Sequence, residues 1–209
     1  MAKNVELFEA IMKGNRNKVV EIIQKSIDTK EDMGKVLDES MIPAMREMGD
    51  RFSRNEVYVP EMLIAARAMQ AGLGLVEPIL ANTGHKSLGK VCIGTVKGDL
   101  HDIGKNLVAI MLKGAGYEVD DCGVNCDVAK FTASVDNGAK VILCSALLTT
   151  TMPYMKDIVG AFKSRSDVKV VIGGAPVTND YAKSIGAHGY GCDANDAVKV
   201  VDKLLGKSF

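Results

Sequence analysis

The residues of this chain that are best suited to chemistry lie close together, at Asp99, His101 and Gly104. They form a D-x-H-x-x-G pattern, with Gly98 just before it and Asp102 at a position suited to capping a helix. An imidazole two residues from a carboxylate can offer one ring nitrogen to a metal while the acid holds the other. The pattern therefore makes His101 a candidate metal ligand that Asp99 could orient, and support for that role must come from elsewhere in the chain.

This pattern lies at the junction of a strand-like segment and a helix-like segment. An apolar run at 91–94 precedes it, and apolar residues with helical spacing follow it at Ile103, Leu107, Ile110 and Met111. Open α/β sheets bind their ligands at such turns, beyond the carboxyl ends of the strands. We therefore expect the pattern to lie at a ligand-binding edge.

The second part of the chain alternates between strand-like and helix-like segments. Apolar runs of strand length lie at 91–94, 117–122, 141–145, 168–172 and, more weakly, 188–190. Helical patterns lie at 103–115, 127–137, 152–164, 179–185 and 194–205. Repeated βα units of this length predict an α/β domain with a doubly wound, flavodoxin-like (Rossmann-like) parallel sheet.

The first part of the chain predicts a small antiparallel bundle of four amphipathic helices. Apolar stripes begin at Leu7, Val19 and Met33, and the third helix is expected to end near Phe52. Pro60 suits the first turn of a fourth helix. The residues expected on one side of that helix are Leu63, Met69, Leu73, Val76 and Leu80. Because the polar segment 81–89 reads as a linker, the domains are predicted as 1–85 and 86–209.

Composition narrows the possible partners and the compartment. The 209 residues are 47% hydrophobic and 25% charged with a formal net charge of +0, so neither nucleic acid nor an anionic membrane is an indicated partner. No signal peptide or spanning segment is visible, which predicts a cytoplasmic protein. The five cysteines include no C-x-x-C pair, and we interpret them as small hydrophobic residues. A redox role for Cys122 and Cys126 is the alternative.

Two further loops complete a known fingerprint. The third predicted strand is followed by Ser145 and Leu147, and the fourth by Gly173 and Gly174. Together with the D-x-H-x-x-G pattern, these S-x-L and G-G loops resemble the cobalamin-binding fingerprint of corrinoid methyl carriers and of the cobalamin-binding module of methionine synthase. The segment 57–61, read V-Y-V-P-E, resembles the start of the long cap helix of the same carriers.

The resemblance implies a cofactor and roles for several residues. The cofactor is cobalamin or a related corrinoid, with His101 replacing the lower base on cobalt. Asp99 and Thr151 complete a hydrogen-bonded triad with it, where methionine synthase has a serine in place of Thr151. The other implied cofactor-binding residues are Gly98, Leu100, Asp102, Ile103, Gly104, Ser145, Leu147, Thr149, Gly173, Gly174 and Ala194, with Met45, Tyr58 and Met62 over the upper face.

The implied function is transport of a methyl group on cobalt between two enzymes. One partner is a substrate-specific methyltransferase, the second transfers the methyl to tetrahydrofolate or another acceptor, and a reductive activase is a further candidate. Without its partner enzymes, the carrier is not expected to catalyse a complete methyl-transfer cycle. Methanol, methylamines, betaines and aromatic methyl ethers all remain open as donors.

Other readings compete with these assignments. A cobalamin-dependent sensor or a mutase subunit would share the fingerprint, whereas a receiver domain would need an aspartate where the chain has Ser145. A flavodoxin would need a hydroxyl-rich phosphate loop after the first strand. His85 and His188 read as structural. Gly98 and Gly104 could merely form a tight turn, and the methionines that read as ordinary core are Met33, Met41 and Met48.

Overall fold

The computed structural model describes residues 4–84 and 87–207. Its contacts divide the chain into two compact units. One unit runs to Ser87 and includes the short segment Gly114–Gly116, and the other comprises the remaining residues from Leu88 onward. His85 lies outside the described residues, so its structural role stays a prediction.

The first unit is helical throughout. Its elements are α1 (Val5–Met12), α2 (Arg16–Asp28), α3 (Met33–Val36), a π-helical segment (Leu37–Met41), α4 (Ile42–Ser53) and α5 (Val59–Thr83). The side chains of Asn4 and Asn15 accept backbone N–H groups at the starts of α1 and α2, which fixes where those helices begin. Since α3, the π-helical segment and α4 are continuous, the prediction of four helices is confirmed.

The π-helical segment has a local cause that the apolar stripe does not reveal. The N–H of Ile42 donates to the carbonyl of Leu37, five residues back. Pro43, the next residue, has no N–H and cannot continue the regular ladder. The helix therefore adds one residue to a turn just before the proline instead of breaking.

Helix α5 packs against α1, α2 and α4 through small residues. Its buried positions are Met62, Ala65, Ala66, Ala68, Met69, Gly72, Val76 and Leu80. Leu63 and Leu73, expected on the buried side, are only half-buried. A Cβ on Gly72 would lie 2.6 Å from Ile23 Cδ1. Close helix approach over Ala and Gly thus shifts the buried face away from the larger leucines.

Helix α5 is also long and apolar enough, by length and composition alone, to cross a membrane. Its most apolar window has a mean hydropathy of 1.3, and 39% of that window is buried. The core helix of a water-soluble protein passes the same test. From the sequence we expect no membrane-spanning segment, and α5 was not considered in that expectation.

The second unit is an α/β sheet. Its strands are β1 (Lys90–Val96), β2 (Glu118–Cys126), β3 (Val141–Ser145), β4 (Lys169–Gly173) and β5 (Gly189–Gly191). Its helices are α6 (Ile103–Gly114), α7 (Val128–Asp136), α8 (Pro153–Ala161), α9 (Asn179–Ile185) and α10 (Ala194–Leu204). All pairings are parallel and the order is β2-β1-β3-β4-β5. This is the flavodoxin-like order, which confirms the predicted fold class.

The strand register brings the predicted loops to one edge. Thr95 at the end of β1 pairs with Ser145 on β3, and Ser145 pairs with Gly173 on β4. Gly173 in turn pairs with Gly191 on β5. The chain order reverses between β1 and β3, so this edge contains the switch point at which such sheets bind ligands.

His188 has a structural role at the start of β5. Its Nδ1 accepts the N–H of Val170 at 3.0 Å, while its own N–H donates to the carbonyl of Val170 at 2.8 Å. Burial, and then the neighbouring charge of Lys169, lower the pKa of this histidine. Protonation of Nδ1 would remove the acceptor, so the neutral ring is the form that fits the sheet.

A lowered pKa in the folded state gives a pH dependence of known sign. The stabilisation from neutral His188 is complete above the unfolded pKa of about 6.5 and is lost as the pH falls below it. Between pH 7.5 and pH 5.5 we expect the free energy of unfolding of His188→Asn, whose amide oxygen does not titrate, to fall less than that of the wild type. Because His188 is exposed and solvent screens its charge, the difference should be at most about 0.5 kcal/mol. Urea denaturation at both pH values measures this, and equal losses would contradict it.

Candidate functional site

The site is built on the turn that joins β1 to α6. The N–H of Asp99 donates to the carbonyl of Val96 at 3.1 Å, and Gly98 between them has a φ of 84°. A positive φ at this position of a turn favours glycine. A Cβ on Gly98 would make only ordinary contact, 3.6 Å from Thr151 Cγ2, so the turn itself explains this glycine.

Asp99 is the centre of the hydrogen bonding at the site. Its side chain is fully buried, with a relative exposure of 0%. Oδ1 accepts the backbone N–H of His101 at 3.0 Å and lies 2.8 Å from His101 Nδ1. Oδ2 accepts the N–H of Leu147 at 2.8 Å, the N–H of Leu148 at 3.3 Å and the hydroxyl of Thr151 at 2.9 Å. The sequence-predicted set of Asp99, His101 and Thr151 is therefore brought together.

These donors keep the buried carboxylate charged. Burial acts to raise the pKa of Asp99, but hydrogen bonds from Leu147, His101 and Thr151 outweigh it and hold the pKa well below its usual range. The Thr151 hydroxyl also lies 2.9 Å from the Leu148 carbonyl, yet it has a single proton. That proton is best placed on the charged acceptor, because charge-assisted hydrogen bonds are stronger.

His101 is held at one ring nitrogen and exposed at the other. Its side chain is 52% exposed, and its carbonyl accepts the hydroxyl of Thr95 at 2.7 Å. An ionised carboxylate can only accept, so Asp99 requires the proton of a neutral ring to be on Nδ1. Nε2 then has a free lone pair, which is the form of imidazole that binds a metal.

Large exposed apolar side chains lie next to this histidine in the chain, or follow β3 in the segment that donates to Asp99. Leu100 is 72% exposed and Ile103 is 81% exposed, while Leu147 and Leu148 are 43% and 42% exposed. Three of them lie in the two loops that Asp99 joins, and Ile103 begins α6. Exposed apolar residues grouped in this way mark a binding surface. The arrangement suits a flat apolar ligand whose metal is reached by the imidazole.

Gly104 and Ser145 both have properties that the protein's own packing does not explain. Gly104 is exposed in the first turn of α6, and a Cβ there would meet nothing within 4 Å. Within residues 4–84 and 87–207, the half-buried hydroxyl of Ser145 makes no hydrogen bond to a protein group. A missing side chain and an unused hydroxyl beside an apolar surface both fit a bound cofactor.

The two glycines after β4 have internal causes instead. A Cβ on Gly173 would lie 2.9 Å from the carbonyl oxygen of Gly191. Gly174 has a φ of 122°, and a Cβ there would overlap the carbonyl oxygen of Ala146. Both glycines are therefore required by the close approach of neighbouring backbone, whether or not a cofactor tail also lies against them.

The remaining predicted residues differ in exposure. Ala194 begins α10 and is 5% exposed, whereas Thr149 is exposed in the loop after β3. In the helical unit, Met45 and Met62 are buried, as are Met33, Met41 and Met48, whereas Tyr58 is 64% exposed. Asp102 is exposed and accepts the side-chain amide of Asn106 at 3.0 Å. The binding roles assigned to these residues stay predictions.

Two residues that sequence reasoning missed hold the turn in place. Thr95, fully buried at the end of β1, donates to the His101 carbonyl. Asn125, at the end of β2, accepts the N–H of Gly98 at 2.8 Å. A hydroxyl at the end of an otherwise apolar strand was the only available signal for Thr95, and spacing offered none for Asn125.

The thiols belong to the sheet rather than to the site. All five cysteines are free, and the buried ones in the strands are Cys92, Cys126 and Cys144. Burial raises the pKa of Cys126 to about 11, so its thiol stays protonated. In the described parts of the chain, no group of three or more His, Cys, Asp or Glu side chains is placed to hold a metal ion.

The fold and the site define a class of protein, one whose parallel sheet carries an exposed histidine held by a buried carboxylate at its ligand-binding edge. Comparison with known families agrees, because two models described as B12 binding domains match residues 89–199 and 5–77. The chain therefore belongs to the family of B12-binding corrinoid proteins.

Several members of that family are similar to this chain over nearly its whole length. A corrinoid protein of Desulfitobacterium hafniense (strain Y51) is 37% identical over 97% of both chains. Dimethylamine corrinoid protein 2 of Methanosarcina acetivorans is 36% identical over 97% of this chain and 96% of its own. In the methanol:cobalamin methyltransferase complex of Methanosarcina barkeri, a chain superposes with a TM-score of 0.84 at 27% identity, over 97% of this chain and 79% of its own.

These similarities confirm the class predicted from the sequence. The chain is a corrinoid methyl carrier of a methyltransferase system. Its cofactor is cobalamin or a related corrinoid.

Proposed function

We propose that His101 is the lower ligand of the cobalt, in place of the cofactor's own base. The observation that carries this proposal is the exposed ring whose Nδ1 is held by the buried, ionised Asp99. Thr151 and the N–H of Leu147 keep that carboxylate charged. Together they fix the ring and its tautomer before any cofactor binds.

The apolar surface and the loops after β3 and β4 supply the rest of the binding site. Leu100 and Ile103 would contact the corrin ring, and Gly104 would let it approach the backbone of α6. Ser145 and Thr149 would hold the displaced tail, which we propose runs along Gly173, Gly174 and Ala194. When bound, the corrinoid supplies a cobalt that accepts a methyl group and gives it up. The residues named here bind, orient and shield it.

We further propose the methyl donor and the partners. Dimethylamine and trimethylamine corrinoid proteins are 36% and 37% identical to this chain over 97% and 94% of its length, which supports a methylated amine as donor. The carrier would receive the methyl from an amine-specific methyltransferase and pass it to a second enzyme acting on tetrahydrofolate or a related acceptor. A reductive activase, a cytoplasmic location and the lack of complete turnover alone belong to the same proposal.

The domain division is part of this proposal as well. Residues 1–85 would form the cap domain that supplies Met45, Tyr58 and Met62, and residues 86–209 would form the cobalamin-binding domain. A screen of mono-, di- and trimethylamine against methanol, with the candidate methyltransferases present, tests the donor.

A pair of glycine substitutions tests the binding surface. Gly104→Ala and Gly160→Ala each add a methyl group to an exposed helix position with nothing within 4 Å. Both are expected to stabilise the cofactor-free protein, by about 0.5–1 kcal/mol. Only Gly104→Ala should weaken corrinoid binding, by about tenfold or more, because an intruding methyl group costs roughly 1–3 kcal/mol.

The measurement is a titration with aquocobalamin, alongside thermal denaturation of both cofactor-free variants. Gly160→Ala, on α8, should bind as the wild type does. Equal affinities for the two variants would contradict the placement of the ring over the first turn of α6.

A further inference from the structure

The end of β2 has an unusual backbone. Asn125 has a φ of 50° and is one of three non-glycine residues in the described parts of the chain with a positive φ, with Lys30 and Asn55. The pairing of β1 with β2 is irregular opposite this stretch, between Ile93 and Gly94 and again between Gly94 and Val96, the last of which pairs with Cys126. Left-handed backbone is unfavourable for most residues and least so for asparagine and glycine.

This backbone directs two groups of Asn125 to the turn after β1. Its side-chain Oδ1 accepts the N–H of Gly98 at 2.8 Å, and its own N–H donates to the carbonyl of Asp99 at 3.0 Å. The two hydrogen bonds lie on either side of the Gly98–Asp99 peptide bond. Since the N–H of Asp99 also donates to Val96, the residue that supplies the central carboxylate is fixed from three directions.

The strand that carries Asn125 is itself braced. Asp121 accepts the N–H of Gly123 at 2.9 Å and pairs with Lys105 Nζ at 2.5 Å. Lys105 lies on α6 and is 3% exposed, so the lysine of this ion pair is buried and held in place by its neighbours. The end of β2 is therefore held to the helix that follows His101, and Asn125 connects that support to the turn.

We propose that Asn125 is a positioning residue for the histidine ligand. By holding the Gly98–Asp99 peptide, it sets the place of the Asp99 carboxylate, and the carboxylate sets the tautomer and direction of the His101 ring. The inference rests on the proposed role of His101 as the cobalt ligand. It adds a residue 24 positions further along the chain, on a different strand, whose two hydrogen bonds go to the backbone of the turn.

Three variants separate this role from a general effect on folding. Asn125→Gly keeps the left-handed backbone without strain and removes the side-chain acceptor. Asn125→Asp retains an oxygen that can accept the Gly98 N–H. Asn55→Gly makes the same chemical change at a positive φ in the helical unit and serves as the matched control.

Asn125→Gly is expected to fold and to bind corrinoid about three- to tenfold more weakly, the range for one lost intramolecular hydrogen bond. The Co(II) EPR spectrum of its complex should show only part of the axial nitrogen splitting of the wild type. In the cofactor-free variant, the ¹⁵N shifts of the His101 ring should move toward a mixture of tautomers. Asn125→Asp and Asn55→Gly should match the wild type in all three measurements.

Labelling with ¹⁵N-histidine distinguishes a failure of the His101 ligand assignment from a failure of the positioning role of Asn125. If the wild-type splitting does not change with the label, His101 is not the ligand and the proposed function fails at that point. If it changes and Asn125→Gly still gives the wild-type spectrum, tautomer shifts and affinity, the positioning role is wrong while the ligand assignment stands.

Discussion

His101→Ala is expected to give a folded protein that still binds corrinoid but has no protein nitrogen on cobalt. The ring is 52% exposed, and Asp99 keeps the backbone N–H of residue 101 as a donor when the ring is removed. The free energy of unfolding should therefore change by less than about 1 kcal/mol. Corrinoid affinity should fall by about 10–100-fold, with the tail loops supplying the binding that remains.

EPR of the Co(II) complex measures the result directly, because one axial nitrogen splits each cobalt line into three. The splitting should be absent in His101→Ala and present in His188→Asn, which changes a histidine away from the site. An unchanged axial splitting in His101→Ala would show that another group is the ligand, and the assignment would be wrong.

The sheet could be predicted from the sequence because its signals are local. The apolar run at 141–145 coincides with β3, and the helix predicted at 179–185 coincides with α9. In both cases alternation of β- and α-type segments with short turns leaves few arrangements to choose from. The weak segment at 188–190 is also a strand, β5, and His188 at its start accepts a hydrogen bond from β4.

The candidate site could be predicted only where its residues are close in sequence or match a known loop. Asp99 and His101 are two positions apart, so spacing alone relates them. Thr151 was expected from the resemblance, and the structure adds its hydrogen bond to the same carboxylate. Asn125 could not be predicted, because its contribution depends on a positive φ and on register between two strands.

Other differences also come from packing. The buried side of α5 follows Ala65 and Gly72 rather than Leu63, since a helix packs closest where its side chains are smallest. Gly174 was expected to make room for a cofactor tail, yet the carbonyl of Ala146 already excludes any side chain there. A sequence shows that a position is glycine, but only the structure shows which atoms require it.

Asp99→Asn is expected to abolish ligation by His101 even though the histidine is retained. Both carboxylate oxygens of Asp99 accept, whereas an asparagine has one oxygen and one NH₂ group. If the NH₂ took the place of Oδ2, it would face the N–H groups of Leu147 and Leu148, which cannot accept. It should therefore take the place of Oδ1 and face the His101 ring, whose Nδ1 can become an acceptor.

That orientation changes the tautomer of the ring. With Nδ1 accepting from the introduced amide, the ring proton lies on Nε2, and the exposed nitrogen has no lone pair for a metal. The backbone N–H of His101 would still face the NH₂ group, so the buried site is also left with an unpaired donor. We expect a loss of about 2–4 kcal/mol in the free energy of unfolding, since a buried hydrogen-bond network is broken.

Asp157→Asn provides the matched control, because it makes the same change on an exposed side chain of α8, a helix that carries none of the predicted site residues. Its stability should stay within about 0.5 kcal/mol of the wild type, and its Co(II) complex should keep the nitrogen splitting. In Asp99→Asn the splitting should be lost and the ¹⁵N shifts of the ring should report a proton on Nε2. A variant at Asp99 that kept both the wild-type splitting and the Nδ1–H tautomer would show that the carboxylate does not control the ligand, since a neutral amide would then orient the ring as well as a charge.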